Sequence, residues 1–371
     1  MTIAHGLLPE GLRDRLPPQA EAASRLLHHV IVAINRHGYE RVSPPLAEFE
    51  ESLLGRLKSA RKQDLLRFVD PVSQRSLALR PDITGQIGRI ATTRLNHRPR
   101  PLRLAYGGTV MKLRATQLRP ERELMQAGAE LIGNDSVAAV IEILGMAVET
   151  LKIAGVKEIS IDLTLPDLVE RLADTTLPID ASKKEKLFAV LDAKDAGGLS
   201  ELDATGYRPL LEAAGPFDEA VKKIQPMAEK LGFADRLQAL KTIRASLDPS
   251  VHVTLDPTER HGFEYQTWIG FSLFGSGILG EIGRGGSYTI IHQDKREEQA
   301  VGFSLYIDPL VDAGLGQKKS RKLFLPLGHD PEQARIFRQE GWITIAALDE
   351  EDDPVRHQCT DILTGGHIKP L

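Results

Sequence analysis

The chain has 371 residues, 47 Lys and Arg against 51 Asp and Glu, a formal net charge of −4, and is 42% hydrophobic and 26% charged. That is the balance of a globular protein long enough for a large core plus appendages. It gives no global pull towards nucleic acid or anionic membrane, so tRNA binding is not expected. The single cysteine, Cys359, excludes an internal disulfide framework and a cysteine-based zinc cluster. The start of the chain is broken by Gly, Pro and charges, unlike a signal peptide, and no apolar run approaches the ~20 residues of a membrane span. The cytoplasm is the expected location.

In chain order, residues 18–37 read as a long helix with Ala23, Leu27, Val30, Ile31 and Ile34 on one face and Gly38 as its stop. An extended stretch follows over 39–46. Apolar runs at 65–70 and 76–79 flank Asp70-Pro71 and predict a hairpin. A helix is expected over 82–95, then strands over 102–113 and 124–132 joined by an arginine-rich loop at 114–123. Asp135 or Ser136 caps a helix with an apolar stripe from Val137 to Leu151, and 157–164 is a strand. From 166 to 246 helical texture dominates, with breaks near Gly197-Gly198 and Gly215-Pro216. Strands return at 251–255, 262–273, 288–292 and 301–306, and the tail from 318 reads as a β-α-β pattern. Short turns between strands, with helices before and between, argue for an α+β fold: an antiparallel sheet flanked by helices. The expected divisions are 1–165 with 247–312 as the core, 166–246 as a helical insertion and 318–371 as a small C-terminal α/β domain.

Three stretches carry candidate chemistry. They are Arg80-Pro81-Asp82-Ile83-Thr84; Tyr106 to Met111 with Gln126-Ala127-Gly128-Ala129-Glu130; and His261-Gly262-Phe263-Glu264-Tyr265, which precedes Gly285-Gly286-Ser287-Tyr288. A free amino acid needs carboxylate and hydroxyl acceptors for its ammonium, and Asp82 and Thr84, two apart, can supply them. Gln126, Gly128 and Glu130 share one strand face because side chains alternate. The glycine between the two polar groups leaves space for a ligand.

In order and spacing these stretches resemble the class II and histidine-binding motifs of histidyl-tRNA synthetases, from the N-terminus to about Leu310. The resemblance implies a class II synthetase-like core in which Asp82, Thr84 and Gln126 hold an amine, while Glu130 and Tyr265 hold an imidazole. The nucleotide-binding positions depart from the pattern. Lys112 stands for the arginine of motif 2, and Arg114 for an acid. His261 stands for the catalytic arginine, and Ser287 and Thr289 for an arginine and an aspartate. Pro309 replaces the arginine that would clamp the nucleotide, and no Arg or Lys occurs between Arg296 and Lys318. Lysine keeps charge without the bidentate fork, and an unperturbed histidine is mostly neutral at pH 7.

A chain that keeps the amino-acid-binding residues and replaces the ATP-binding ones resembles the regulatory subunit of ATP phosphoribosyltransferase, a histidyl-synthetase paralogue without aminoacylation activity. That likeness implies no catalysis and no cofactor of its own. It implies a short-form catalytic subunit as partner, histidine as regulatory ligand, and a homodimer within a hetero-octamer. An active synthetase, or a synthetase-like amino-acid-binding module with another partner, is the alternative. Gly275 to Gly280 spells GxGxxG, but more glycine and a strand follow it, so it reads as a hairpin connection. The eleven histidines show no metal-ligand spacing.

Overall fold

The computed structural model describes residues 6–54, 65–114, 120–260, 266–318 and 320–371. Helix α1 (Gln19–Arg36) buries Leu26, Val30 and Ile34 along one stripe and stops before Gly38, whose φ of +82° suits a residue without Cβ. After β1 (Glu40–Arg41) come β2 (Ala47–Phe49), α2 (Glu50–Leu54), β3 (Arg67–Val69) and β4 (Ser76–Leu79). Strands β3 and β4 form the expected hairpin, inside a small sheet of order β2-β4-β3. Helix α3 (Thr84–Thr93) leads to the long antiparallel pair β5 (Leu102–Met111) and β6 (Glu123–Ile132). Helix α4 (Val137–Ile153) follows, capped by Ser136, whose Oγ accepts the Ala139 N–H at 3.4 Å, and then β7 (Ser160–Thr164).

The next segment holds α5 (Leu168–Asp174), α6 (Lys184–Asp192), α7 (Ala196–Glu201), α8 (Arg208–Glu212), β8 (Gly215–Pro216), α9 (Phe217–Leu231) and α10 (Ala234–Ser246). Two details differ from the sequence reading. The break near Gly197-Gly198 falls at 193–195, and the two glycines lie in the first turn of α7, where the Asp195 carboxylate caps the Gly198 N–H at 3.0 Å. Gly215-Pro216 is not merely a break but a two-residue strand, antiparallel to β9 (His252–Asp256).

Strands β10 (Gln266–Phe274), β11 (Gly283–Ile291) and β12 (Glu297–Tyr306) complete the nine-stranded sheet, of order β1-β5-β6-β12-β11-β10-β7-β9-β8. Six central strands, β5 to β7 in that order, run antiparallel as expected, whereas β1–β5 and β7–β9 are parallel pairs. The GxGxxG run is the connection from β10 to β11. Alternation divides the sheet's two faces. Ala127, Ala129, Leu131, Val301, Phe303 and Leu305 point towards α1 and α4 in the larger core. On the other side Leu104, Tyr106, Tyr288 and Ile290 pack with Ile83 and Ile87 at α3. That second face carries the polar residues singled out above. Helix α11 (Ile307–Asp312) follows β12 directly.

The chain divides into two compact units, Met1–Gly316 and Gln317–Leu371. The second contains β13 (Lys322–Leu325), α12 (Pro331–Gln339), β14 (Ile343–Ala346), β15 (Asp361–Thr364) and β16 (His367–Pro370), in a sheet of order β14-β13-β15-β16. It is more than the β-α-β pattern read from sequence: β15 and β16 form a further hairpin about Gly365-Gly366. No helix among the described residues is long and apolar enough to cross a membrane.

The arginine-rich stretch at 94–103 is drawn into ion pairs. Arg98 meets Glu40 at 2.6 Å, Arg100 meets Glu298 at 2.5 Å and Arg103 meets Glu142 at 2.8 Å.

Candidate functional site

Gln126, Gly128 and Glu130 stand on the α3 side of β6, opposite Tyr306, Ser304 and Gly302 of β12. Those pair in turn with β11, Gly302 meeting Gly286 and Ser304 meeting Arg284. Glu130, Gly302 and Gly286 therefore lie in one row across three strands, and Gly270 of β10 extends it. A Cβ at Gly302 would collide with the Glu130 carboxylate, and one at Gly286 would meet the Gln266 side chain and the Ile269 carbonyl. A Cβ at Gly128 would lie 2.6 Å from Tyr106 Oη. These glycines are spaces the polar side chains require.

Glu130 is 1% exposed. Its carboxylate accepts hydroxyl hydrogen bonds from Thr84 Oγ1 at 3.0 Å, Tyr106 Oη at 3.0 Å and Tyr288 Oη at 2.8 Å. Burial disfavours the charged form more than these three donors favour it, and the Glu130 pKa is pushed up to about 8. Tyr106, wholly buried beside this acid and Asp82, is likewise held well above the usual phenol range.

A second network abuts the first. Gln126 Nε2 donates to Asp82 Oδ2 at 2.7 Å and to Ser304 Oγ at 2.6 Å, while its Oε1 accepts the Ile83 N–H at 3.1 Å. Asp82 Oδ1 accepts the Thr84 N–H at 2.7 Å, and Ser304 Oγ lies 2.8 Å from Tyr106 Oη. Asp82, Thr84, Gln126 and Glu130 are thus brought into one connected cluster.

A small pocket of about 10 Å³ adjoins it, lined by Thr84, Glu130, Gln266, Gly286, Tyr288 and Ser304 among others. Asp82 and Gln126 stand just behind this wall, bonded to Thr84 and Ser304. The Gln266 Nε2 donates to the Gly285 carbonyl at 2.8 Å, whereas its buried Oε1 has no hydrogen-bond partner among the described residues. Such an acceptor suits a ligand's N–H. Together the lining offers acceptors and hydroxyls that switch between donor and acceptor, the set needed by an ammonium and a ring nitrogen.

Tyr265 and His261 fall outside the described residues. The remaining altered positions lie elsewhere in the core unit. Ser287 is fully buried, accepts from Thr267 Oγ1 at 2.8 Å, and points to the opposite face from Gly286. Lys112 places Nζ 5.8 Å from the Tyr306 ring centroid. Pro309 sits in the first turn of α11, beside Asp308, whose buried carboxylate accepts the Met125 N–H at 2.7 Å and pairs with Arg15.

Sequence reasoning did not single out Tyr106, Tyr288, Ser304, Gln266 or Arg284 as site residues. A period-two count along 300–306 would have placed Ser304 with Gly302, opposite the apolar Val301, Phe303 and Leu305. Tyrosines in apolar runs carry no such signal.

Comparison with known proteins bears on the same residues. The histidyl-tRNA synthetase family profile matches residues 11–310. The ATP phosphoribosyltransferase regulatory subunit of Paramagnetospirillum magneticum is 40% identical over 95% of this chain and 94% of its own length. The chain belongs to the histidyl-tRNA synthetase-like family of ATP phosphoribosyltransferase regulatory subunits. Another family member, from Rhodospirillum centenum, is 37% identical over 98% of this chain and 96% of its own. A crystal structure titled as an ATP phosphoribosyltransferase regulatory subunit/histidyl-tRNA synthetase from Bacillus halodurans superposes with a TM-score of 0.78 at 26% identity, covering 96% of this chain and 97% of that one. The histidyl-tRNA synthetase of Nostoc shares the fold, with a TM-score of 0.76 at 16% identity over 97% and 91% of the two chains. The family's class II synthetase-like architecture is the one described above.

Proposed function

We propose that this chain is a non-catalytic regulatory subunit that binds histidine in the cavity beside Glu130, activates a short-form ATP phosphoribosyltransferase catalytic subunit, and transmits feedback inhibition by histidine. The observation that carries the reading is the contrast between two parts of the core unit. The cluster of Asp82, Thr84, Gln126 and Glu130 is held by hydrogen bonds between its side chains beside a small pocket. At the end of β12 the side chains that follow are Tyr306, Ile307, Asp308 and Pro309. Adenylation needs fixed cations where charge builds on the α-phosphate, and proline has no side-chain donor.

In this reading the ligand's ammonium meets Asp82, Thr84 and Gln126, and its imidazole meets Glu130 and Tyr288, with Tyr265 and Gln266 completing the ring site. A carboxyl with a pKa near 8 can release its proton when a cationic ring arrives. Histidine then acts by differential affinity: it stabilises whichever conformation of the complex holds this pocket best, and no chemistry is required. A homodimer of this chain within a hetero-octamer, without tRNA, is the assembly proposed.

The test is to mix the purified chain with a short-form catalytic subunit and follow phosphoribosyl-ATP formation. The rate should rise on mixing and fall on addition of histidine. ATP–pyrophosphate exchange by the chain alone, dependent on histidine, would instead make it a synthetase.

A further inference from the structure

A zwitterionic amino acid has a third group, its carboxylate, and neither Asp82 nor Glu130 can receive it. Arg284 is the cation among the described residues that line the cavity. It lies on β11 opposite Ser304, which is opposite Gly128. That register puts it two strands from β6, roughly 10 Å across the sheet. A ligand whose amine end sits over Gln126 and whose ring lies along the glycine row would present its carboxylate between them, above Ser304.

We propose that Arg284 is the carboxylate-recognising residue of this pocket, and that Glu281 and Ser272 are the positioning residues that aim it. The inference rests on the histidine reading above and names the contact that reading lacks. Glu281 accepts from Arg284 Nε and Nη2, both at 2.7 Å, and Ser272 Oγ donates to Glu281 at 2.9 Å. A guanidinium carries five N–H donors in a rigid plane, and a carboxylate behind it fixes the direction in which that plane faces. The pair's net charge is small, so recognition depends on hydrogen-bond geometry, as in planar guanidinium–carboxylate forks. The resemblance puts a synthetase arginine at His261. Arg284 supplies a guanidinium from β11, beside Gly285 and Gly286 in the lining of the pocket.

Calorimetric titration of the full chain with L-histidine and with L-histidinol, which carries CH2OH in place of the carboxylate, tests it. The wild type should bind histidine at least about 10-fold more tightly than histidinol. Arg284→Gln should bind the two alike, with histidinol affinity within about twofold of wild type. Glu281→Gln, which leaves the arginine but loosens its aim, should show an intermediate preference. Should Arg284→Gln fail to fold by circular dichroism, the Glu281→Gln preference decides the matter. An unchanged preference in folded variants, or an equal loss of both ligands, overturns the assignment while leaving histidine binding intact. A wild type that binds neither compound removes the histidine reading itself, and this assignment with it.

Discussion

Two places in the core unit have been put to different uses. Around Glu130 the buried polar atoms face a cavity, each held in place by another side chain and backed by glycines. Around Asp308 the buried carboxylate faces inwards: the Met125 N–H and Arg15 occupy it, and Tyr306 is only 6% exposed. Burial and hydrogen bonding are similar in both, so neither distinguishes a binding site from a structural joint. What does distinguish them is chemistry: hydroxyls and the Gln266 Oε1, unpartnered among the described residues, line the pocket beside Glu130, whereas an arginine and a backbone N–H take up Asp308.

That contrast predicts unequal responses to substitution. Glu130→Gln preserves shape but changes the acceptor set that meets Thr84, Tyr106 and Tyr288. Histidine affinity should fall about 100-fold by calorimetry. A fall of less than about threefold would mean the cluster is only structural.

The same substitution should alter the dependence of stability on pH. The folded-state pKa of Glu130, about 8, lies above its ordinary 4.5, so the folded protein holds the proton more tightly than the unfolded chain between those values. The corresponding stability is fully present below about pH 4.5 and is lost as pH rises through 8. Melting curves of wild type from pH 5 to pH 9 should therefore decline relative to Glu130→Gln, by on the order of a few kcal/mol. Parallel curves would show that Glu130 is already ionised at low pH.

Asp308→Asn addresses the filled joint. It should cost about 1–3 kcal/mol in denaturant unfolding, because Arg15 and the Met125 N–H lose a charged acceptor. Histidine affinity should stay within about twofold. A large loss of binding would erase the distinction between the two places. The smallest effect belongs to Leu279, 90% exposed in the turn between β10 and β11. Leu279→Ser should change stability by less than about 0.5 kcal/mol and leave binding alone, as a connection and not a cofactor loop.

Much of this was legible in the sequence because it rests on short-range patterns. The spacing of Gln126, Gly128 and Glu130 is a property of one strand, and the Ser136 cap and Gly38 stop are local chemistry. Asp82 and Thr84 were legible through two-residue proximity and the family pattern. What escaped depends on register between distant strands. That Tyr288 reaches Glu130, 158 residues away, follows from the pairing of β11 with β12 and of β12 with β6, and no local signal encodes it. The parallel placement of β1 and β9 escaped for the same reason. The β15–β16 hairpin is a different omission, since Gly365-Gly366 between two strand-like tetrads is a recognisable two-residue turn.

The outermost strands of the nine-stranded sheet, β1 and β8, are two residues long, and β8 contains Pro216, which has no N–H to offer. So broad a sheet ordinarily risks self-templating, because a bare margin invites a foreign strand to continue the ladder. Stubs at both margins offer little purchase for that. Side-chain surfaces are left as the means of association, and these can be altered one substitution at a time without disturbing the backbone of the sheet.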